Sequence, residues 1–410
     1  MKVRLMRTLD VWFGVPLCFL LSGLHAVGRS VAFKKQKIEK DTNIVFIKLS
    51  EMGAIIMAYP LLQQIQKRYP HAELFFVTFK RNKDIFLLLG NIIPEKNILA
   101  ISEDSLYKFF RDTVQAMVTL WQKKIDVVFD LEFFSRYSAI ISYLIKAHKR
   151  VGFYRFSFEG LYRGNLCTHK VLYNPLSHIS KTYLSLGHLI TKPKKDMPEL
   201  EQAIDPHELI FPRYVTRFDV RRNMEERLAE RGITDAHRLF LLNPGEGVLS
   251  VREWPLEYFI ALSRSILEDS DNYIIIIGTK LASSKAQALQ QALNHHRCID
   301  FTGSTSLVEM MELFTLAHAL ITSDCGLAHL AMLSPIRVFV IFGPESPQVF
   351  APLGRQISIL YADWPCSPCF SVLNHRNSFC KDSKCLKSIR PEMVYERMRA
   401  ALKINDQAAV

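Results

Sequence analysis

Residues 323–329 read Ser-Asp-Cys-Gly-Leu-Ala-His, and residues 342–347 read Phe-Gly-Pro-Glu-Ser-Pro. Each stretch continues an apolar run, residues 319–322 in one case and 337–342 in the other, so each reads as a strand end that turns on a glycine, Gly326 and Gly343. Two successive strand ends of this kind place backbone N–H groups where a helix begins, and an open α/β sheet holds a phosphorylated ligand in that way. Asn243-Pro-Gly245 supplies a third glycine turn, and Gly278-Thr279 closes a further strand. Arg252, just ahead of Trp254-Pro255, offers a permanent positive charge with a fork geometry matched to phosphate.

Each residue also has a plainer reading. Arg252 before a proline-initiated helix suits a surface position. Asp324 is a good helix N-cap, a role that excludes nothing else. His329, one turn into the helix, suits a satisfied core histidine as well as a diphosphate contact, and any glycine can serve only its turn. Cys325 sits inside the loop without a paired histidine and base, which argues against a nucleophile. Four further thiols fall late in the chain as Cys366-x2-Cys369, Cys380 and Cys385. In a reducing compartment that spacing suits a tetrahedral structural zinc. An iron–sulfur knot, redox-labile disulfides and buried thiols are the alternatives.

The elements that must position these groups alternate. Strand-like runs at residues 43–49, 73–79, 97–102, 125–131 and 151–156 are separated by helical spacing. The pattern resumes after the Lys- and Pro-rich residues 191–207 with runs at 238–242, 273–277, 298–301, 319–322 and 337–342. Such alternation implies parallel sheets covered on both faces, hence an α/β protein. The expected divisions are an N-terminal segment 1–40, a first domain 41–190, a linker 191–235, a second domain 236–362, and a cysteine-bearing segment with a C-terminal helix at 363–410. With 410 residues and 49% apolar content there is material for two cores. The formal charge of +12 suits anionic partners. No basic run is interleaved with stacking aromatics, so nucleic acid is not expected. Residues 11–27 are mostly apolar between basic flanks at 1–7 and 34–40, which reads as an uncleaved monotopic or re-entrant membrane anchor. The alternatives are a signal peptide and an ordinary amphipathic helix packed on the domain.

In their order and spacing these motifs resemble glycosyltransferase family 9, the lipopolysaccharide heptosyltransferases. The resemblance runs from about residue 43 and rests on Ile47-Lys-Leu-Ser-Glu-Met-Gly53, Ala58-Tyr-Pro60, Asn243-Pro-Gly245, Arg252-Glu-Trp-Pro255, Ser323–His329 and Phe342-Gly-Pro344. It implies a GT-B fold, two Rossmann-like domains facing across a cleft. It also implies an enzyme that transfers a sugar, heptose by default, from a nucleoside-diphosphate sugar to a hydroxyl of a cell-envelope glycan, with inversion and no cofactor for the chemistry. The acceptor would be a glycolipid or oligosaccharide, and the place of action the cytoplasmic face of the inner membrane.

By this resemblance Arg252 stands where a donor-contacting lysine is usual, and Asp324 matches an acidic residue near the donor sugar. Gly245, Gly278, Thr279, Ser323, Gly326, Leu327, His329 and Gly343 complete the expected donor pocket. One position departs: the aspartate that follows the first glycine turn as general base is here Ala54, after Gly53. Glu51 is the nearest carboxylate and is taken as the base, with Glu132 as the other candidate. A protein that has lost its base and only binds nucleotide or glycan is the alternative function. A sugar-nucleotide epimerase of the same fold would need acid and base residues that no motif supplies.

Overall fold

The computed structural model describes residues 3–28, 42–133, 135–154, 162–245, 250–374, 376 and 378–408. The expected basic flank at 34–40 lies outside these residues. The chain divides into two compact units, Met1–Pro212 and Arg213–Val410.

The first unit is built on β1 (Asn43–Ile47), β2 (Glu73–Phe79), β3 (Ile98–Ile101), β4 (Val127–Asp130), β5 (Lys149–Phe153), β6 (His169–Leu172) and β7 (Glu199–Leu200). They form one sheet in the order β3-β2-β1-β4-β5-β6-β7, every pair parallel. The helices are α1 (Val3–Trp12), α2 (Gly14–Gly28), α3 (Met52–Met57), α4 (Tyr59–Arg68), α5 (Leu106–Gln122), α6 (Arg136–Leu144) and α7 (Ile179–His188). On one face Met117 and Leu120 of α5 and Ile141 and Ile145 at α6 pack over Val45, Phe75, Val77 and Val128. With helices on both faces, the strands must be apolar almost throughout.

α1 and α2 run on as one helix through Phe13, whose N–H donates to Leu9 O at 3.0 Å and whose carbonyl accepts from Leu17 N at 3.2 Å. Its inward stripe is small or polar, with Asp10, Gly14, Cys18 and Ser22 at four-residue spacing. Asp10 accepts from Tyr137 N at 2.9 Å and from Arg136 Nη1 at 3.3 Å. Ser22 Oγ accepts from Asn165 N at 2.9 Å. A Cβ on Gly14 would lie 2.5 Å from Arg136 Cβ, so only glycine lets the helix approach there. The outward faces carry Trp12, Phe13, Phe19, Leu20, Leu24 and Val27, all exposed. Water-soluble helices turn their apolar face inward, and this one does the reverse.

The second unit has β8 (Arg238–Asn243), β9 (Asn272–Ile276), β10 (Cys298–Asp300), β11 (Ala319–Ser323), β12 (Arg337–Phe342) and β13 (Ile357–Tyr361) in the order β10-β9-β8-β11-β12-β13, again all parallel. Around it lie α8 (Phe218–Ala229), α9 (Leu256–Leu267), α10 (Ser283–Leu293), α11 (Leu307–Leu316), α12 (Gly326–Ala331) and the C-terminal helix Pro391–Ala408.

Segment 191–235 is not a free linker. β7 extends the first sheet on β6, and α8 packs against α11 of the second unit. Lys and Pro made it look unstructured, yet its Glu199 pairs with Lys192 and Lys195. Segment 363–410 is likewise part of the second unit, since Leu386, Ile389, Val394 and Met398 lie in the core with Trp254 and α9. The indole N–H of Trp254 donates to Ile389 O at 2.8 Å.

Candidate functional site

In the second sheet the strand order reverses between β8 and β11, the place where an open α/β sheet leaves a crevice at its carboxyl ends. Asn243 ends β8 and Ser323 ends β11, and both are buried. Asn243 Oδ1 accepts from Gly245 N at 2.8 Å and closes the turn. Gly245 has φ +89°, and a Cβ there would sit 2.6 Å from Glu253 Oε1. Ser323 Oγ accepts from Trp254 N at 3.0 Å, which pins the segment carrying Arg252 over the end of β11. Arg252 then reaches Asp324, with Nη2 at 2.5 Å from Oδ2 and 3.3 Å from the backbone oxygen. The Arg252 Nε–H is buried and meets no acceptor among the described residues.

A third charged group completes the arrangement. Glu345, in the turn after β12, is 1% exposed. Among the described residues neither of its oxygens takes a hydrogen bond. Arg376 Nε lies 3.4 Å from Oε2. Burial pushes the Glu345 carboxyl up to about 8, against the attraction of Arg252 and with the repulsion of Asp324. Near neutral pH it therefore holds its proton. Arg252, paired with Asp324, and Arg376, beside Glu345, then share one ionised carboxylate, and the cluster carries net positive charge. Burial works against the charge on Arg252, but the Asp324 carboxylate beside it outweighs burial and raises the guanidinium's affinity for its proton. A cluster with this charge suits an anion.

The other expected donor residues divide. Cys325, Gly326 and Leu327 are half-buried where α12 begins, next to Asp324, and His329 is buried within α12. α12 has only 6 residues and no side-chain cap, so its dipole is weak. Gly278 lies beside the end of β8, since a Cβ on it would be 3.9 Å from Asn243 Oδ1. The exposed Thr279 hydroxyl accepts from Leu281 N at 3.3 Å and caps the following turn. Gly343 is claimed by packing, because its Cβ would meet Leu386 Cγ at 2.5 Å and Cys385 Sγ at 3.2 Å. Glu345 and Arg376 were missed. Glu345 stood in plain view after Gly343-Pro344, but nothing local marks a glutamate as buried.

In the first unit Glu51 is exposed at the start of α3, with the unusual φ of +71°. Ala54 is buried behind it. Glu132 serves the fold. It accepts from Lys48 Nζ at 2.9 Å, Leu49 N at 2.8 Å and Ser50 N at 3.2 Å, and so ties the end of β1 to the end of β4. Despite burial, these partners hold its carboxyl below the usual range, which makes it a poor base.

The four late cysteines are spread from exposed (Cys366, Cys380) through half-buried (Cys369) to buried (Cys385). Among the described residues no three His, Cys, Asp or Glu side chains are gathered closely enough to hold a metal ion. Cys385 nonetheless lies within electrostatic reach of Cys366, Cys369 and Cys380. Cys369 Sγ lies 3.4 Å from Ser378 Oγ, and Cys380 Sγ accepts from Ser383 N at 3.3 Å.

A profile of glycosyltransferase family 9 (heptosyltransferase) matches residues 115–378. The chain belongs to this family. It is 24% identical over 337 residues to lipooligosaccharide heptosyltransferase 2 of Haemophilus ducreyi, covering 77% of this chain and 88% of that one. To the enzyme of the same name from Campylobacter jejuni it is 23% identical over 175 residues, 42% of this chain and 53% of that one. Among solved structures, that of Escherichia coli ADP-heptose lps heptosyltransferase II superposes with a TM-score of 0.68 at 19% identity, over 89% of this chain and 100% of that chain. The glycosyltransferase fold expected from the motifs is thereby established, with one parallel α/β sheet in each unit.

Proposed function

We propose that this family 9 member is an inverting heptosyltransferase of cell-envelope glycan assembly, with ADP-heptose as donor and a lipopolysaccharide-type glycan as acceptor. The observation that carries the reading is the Arg252–Asp324–Glu345–Arg376 cluster at the reversal point of the second sheet. In the transfer an acceptor oxygen forms its bond to the anomeric carbon as the bond from that carbon to the diphosphate oxygen breaks. The diphosphate leaves with the bonding pair, and the acceptor proton passes to a carboxylate. Charge grows on the departing diphosphate, so Arg252 acts most strongly in the transition state. Asp324 orients that guanidinium, and its position at a strand end suits a contact with the donor sugar. Glu51, the exposed carboxylate of the first glycine turn, is assigned the proton. The N-terminal helix, long and apolar enough to cross a membrane but bound along one stripe to the first unit, suits a seat on the cytoplasmic face of the inner membrane.

Thermal unfolding with nucleotides tests the reading. At a hundredfold excess over the dissociation constant, ADP should add about 2.7 kcal/mol of stability. Arg252→Ala should abolish that gain. Absence of stabilisation by ADP, UDP and GDP alike would refute the transferase reading. Glu51→Gln should stop turnover of ADP-heptose while leaving the ADP shift in place, and unchanged turnover rejects Glu51 as the base.

A further inference from the structure

Helix α5 carries an apolar surface that the core does not use. Ala116, Met117 and Leu120 face inward. Leu106, Tyr107, Phe110, Val114, Val118 and Trp121 are all exposed, Tyr107 to 75% and Phe110 to 71%. Their spacing follows the helical repeat, so they make one stripe along the helix. A contiguous apolar stripe of this size marks a contact surface. The N-terminal helix lies beside it. Met6 packs with Phe109 of α5 and Tyr137 of α6 on one cluster, and the Phe109 and Tyr137 rings are 4.9 Å apart. Tyr137 N–H in turn donates to Asp10. Both apolar helix faces therefore belong to the same side of the first sheet.

We propose that the outer face of α5 seats at the bilayer interface together with the N-terminal helix, so that the lipid contact is two helices wide. The inference rests on the membrane reading above and extends it to residues far along the chain. Charge selects lipid as the occupant. Arg7, Lys108, Arg111, Lys123, Lys124 and Lys146 are exposed around the stripe. Asp104, Asp112 and Glu73 pair with Lys108, Arg111 and Lys123, so the excess positive charge of the rim rests on Arg7, Lys124 and Lys146. An apolar, aromatic face within a basic rim matches an anionic membrane surface. Tyr and Trp settle at the depth of the headgroups. The Trp121 indole N–H already donates to Leu144 O at 2.8 Å, so its ring enters an apolar phase with no donor unmet.

The test uses the full chain and vesicles of phosphatidylethanolamine and phosphatidylglycerol that carry brominated acyl chains, which quench indoles at the interface. The Trp12→Phe variant reports Trp121 after subtraction of the Trp12→Phe/Trp121→Phe background, and Trp121→Phe reports Trp12 in the same way. Quenching of both indoles is the expected result. Tyr107→Ser/Phe110→Ser, at exposed positions that leave the fold intact, should weaken vesicle binding about tenfold or more. Quenching of Trp12 but not Trp121 would overturn the α5 contact while keeping the anchored helix. No quenching of either would remove the membrane reading and the inference with it. A dimer in sedimentation that Phe110→Ser dissociates would give the stripe to a second copy of the chain and likewise overturn the proposal.

Discussion

Replacing Glu345 with glutamine separates the charge of this buried carboxyl from its shape. A solvated glutamate titrates near 4.5, whereas burial raises Glu345 in the folded chain to about 8. Between these values the unfolded chain has lost a proton that the folded chain keeps. The contribution of Glu345 to stability is thus full below pH 4.5 and falls away as pH rises towards 8. At 1.36 kcal/mol per pH unit the whole interval is worth on the order of 5 kcal/mol, and the accessible part from pH 6 to 8 roughly 3 kcal/mol. Glutamine cannot titrate, so the variant should escape that loss. Calorimetric melts across pH 6–9 should show the wild type falling relative to Glu345→Gln by roughly 6–12 °C, at about 2–4 °C per kcal/mol for a unit of this size. Burial sets the value, with Arg252 opposing it and Asp324 adding to it. Melting curves that stay parallel over the range would refute the reasoning, because they would mean that the carboxyl is already ionised and paired. In that case the cluster would have no net positive charge to offer a diphosphate.

Asp10→Ala strips hydrogen-bond acceptors from the buried Arg136 side chain and from the start of α6. Urea unfolding should show a loss of about 2–3 kcal/mol, and an unchanged midpoint would mean that the N-terminal helix is merely appended. Gly343→Ala drives a methyl group to within 2.5 Å of Leu386 Cγ and should cost about 1–3 kcal/mol. Leu386→Ala added to it should relieve the crowding, and a strictly additive double variant would show that the two residues do not meet.

How much was legible depended on the range over which each signal acts. β2 and β12 appear with the expected bounds because an apolar run flanked by polar residues is a local signature. β6, β7 and β13 were not anticipated. β6 is short and reads His-Lys-Val-Leu, and its polar residues fit a buried strand only because His169 and Lys170 find Lys192 O and Asp196 O. Arg252 and Asp324 were recognisable separately, each in its own motif, although 72 residues part them. Their ion pair is a product of the sheet order. Glu345 was invisible for the same reason, since its protonation depends on burial and on Arg252 and Asp324, which the sheet order brings beside it. The N-terminal segment was read as apolar on average. The four-residue beat of Asp10, Gly14, Cys18 and Ser22 was present in the sequence, and it explains why the helix lies along the domain.

The ion pair between Arg252 and Asp324 also bears on how fast the site empties. On the proposed function, the diphosphate meets a guanidinium that Asp324 already holds, so it would share that charge and not have it alone. The resident carboxylate would weaken binding of the spent nucleotide and, as the nucleotide departs, would reclaim Arg252 without waiting for water to solvate it. A site with its counterion built in trades some affinity for quick exchange, and product escape, which limits many transferases once the chemistry is fast, is eased by the same carboxylate that aims the arginine.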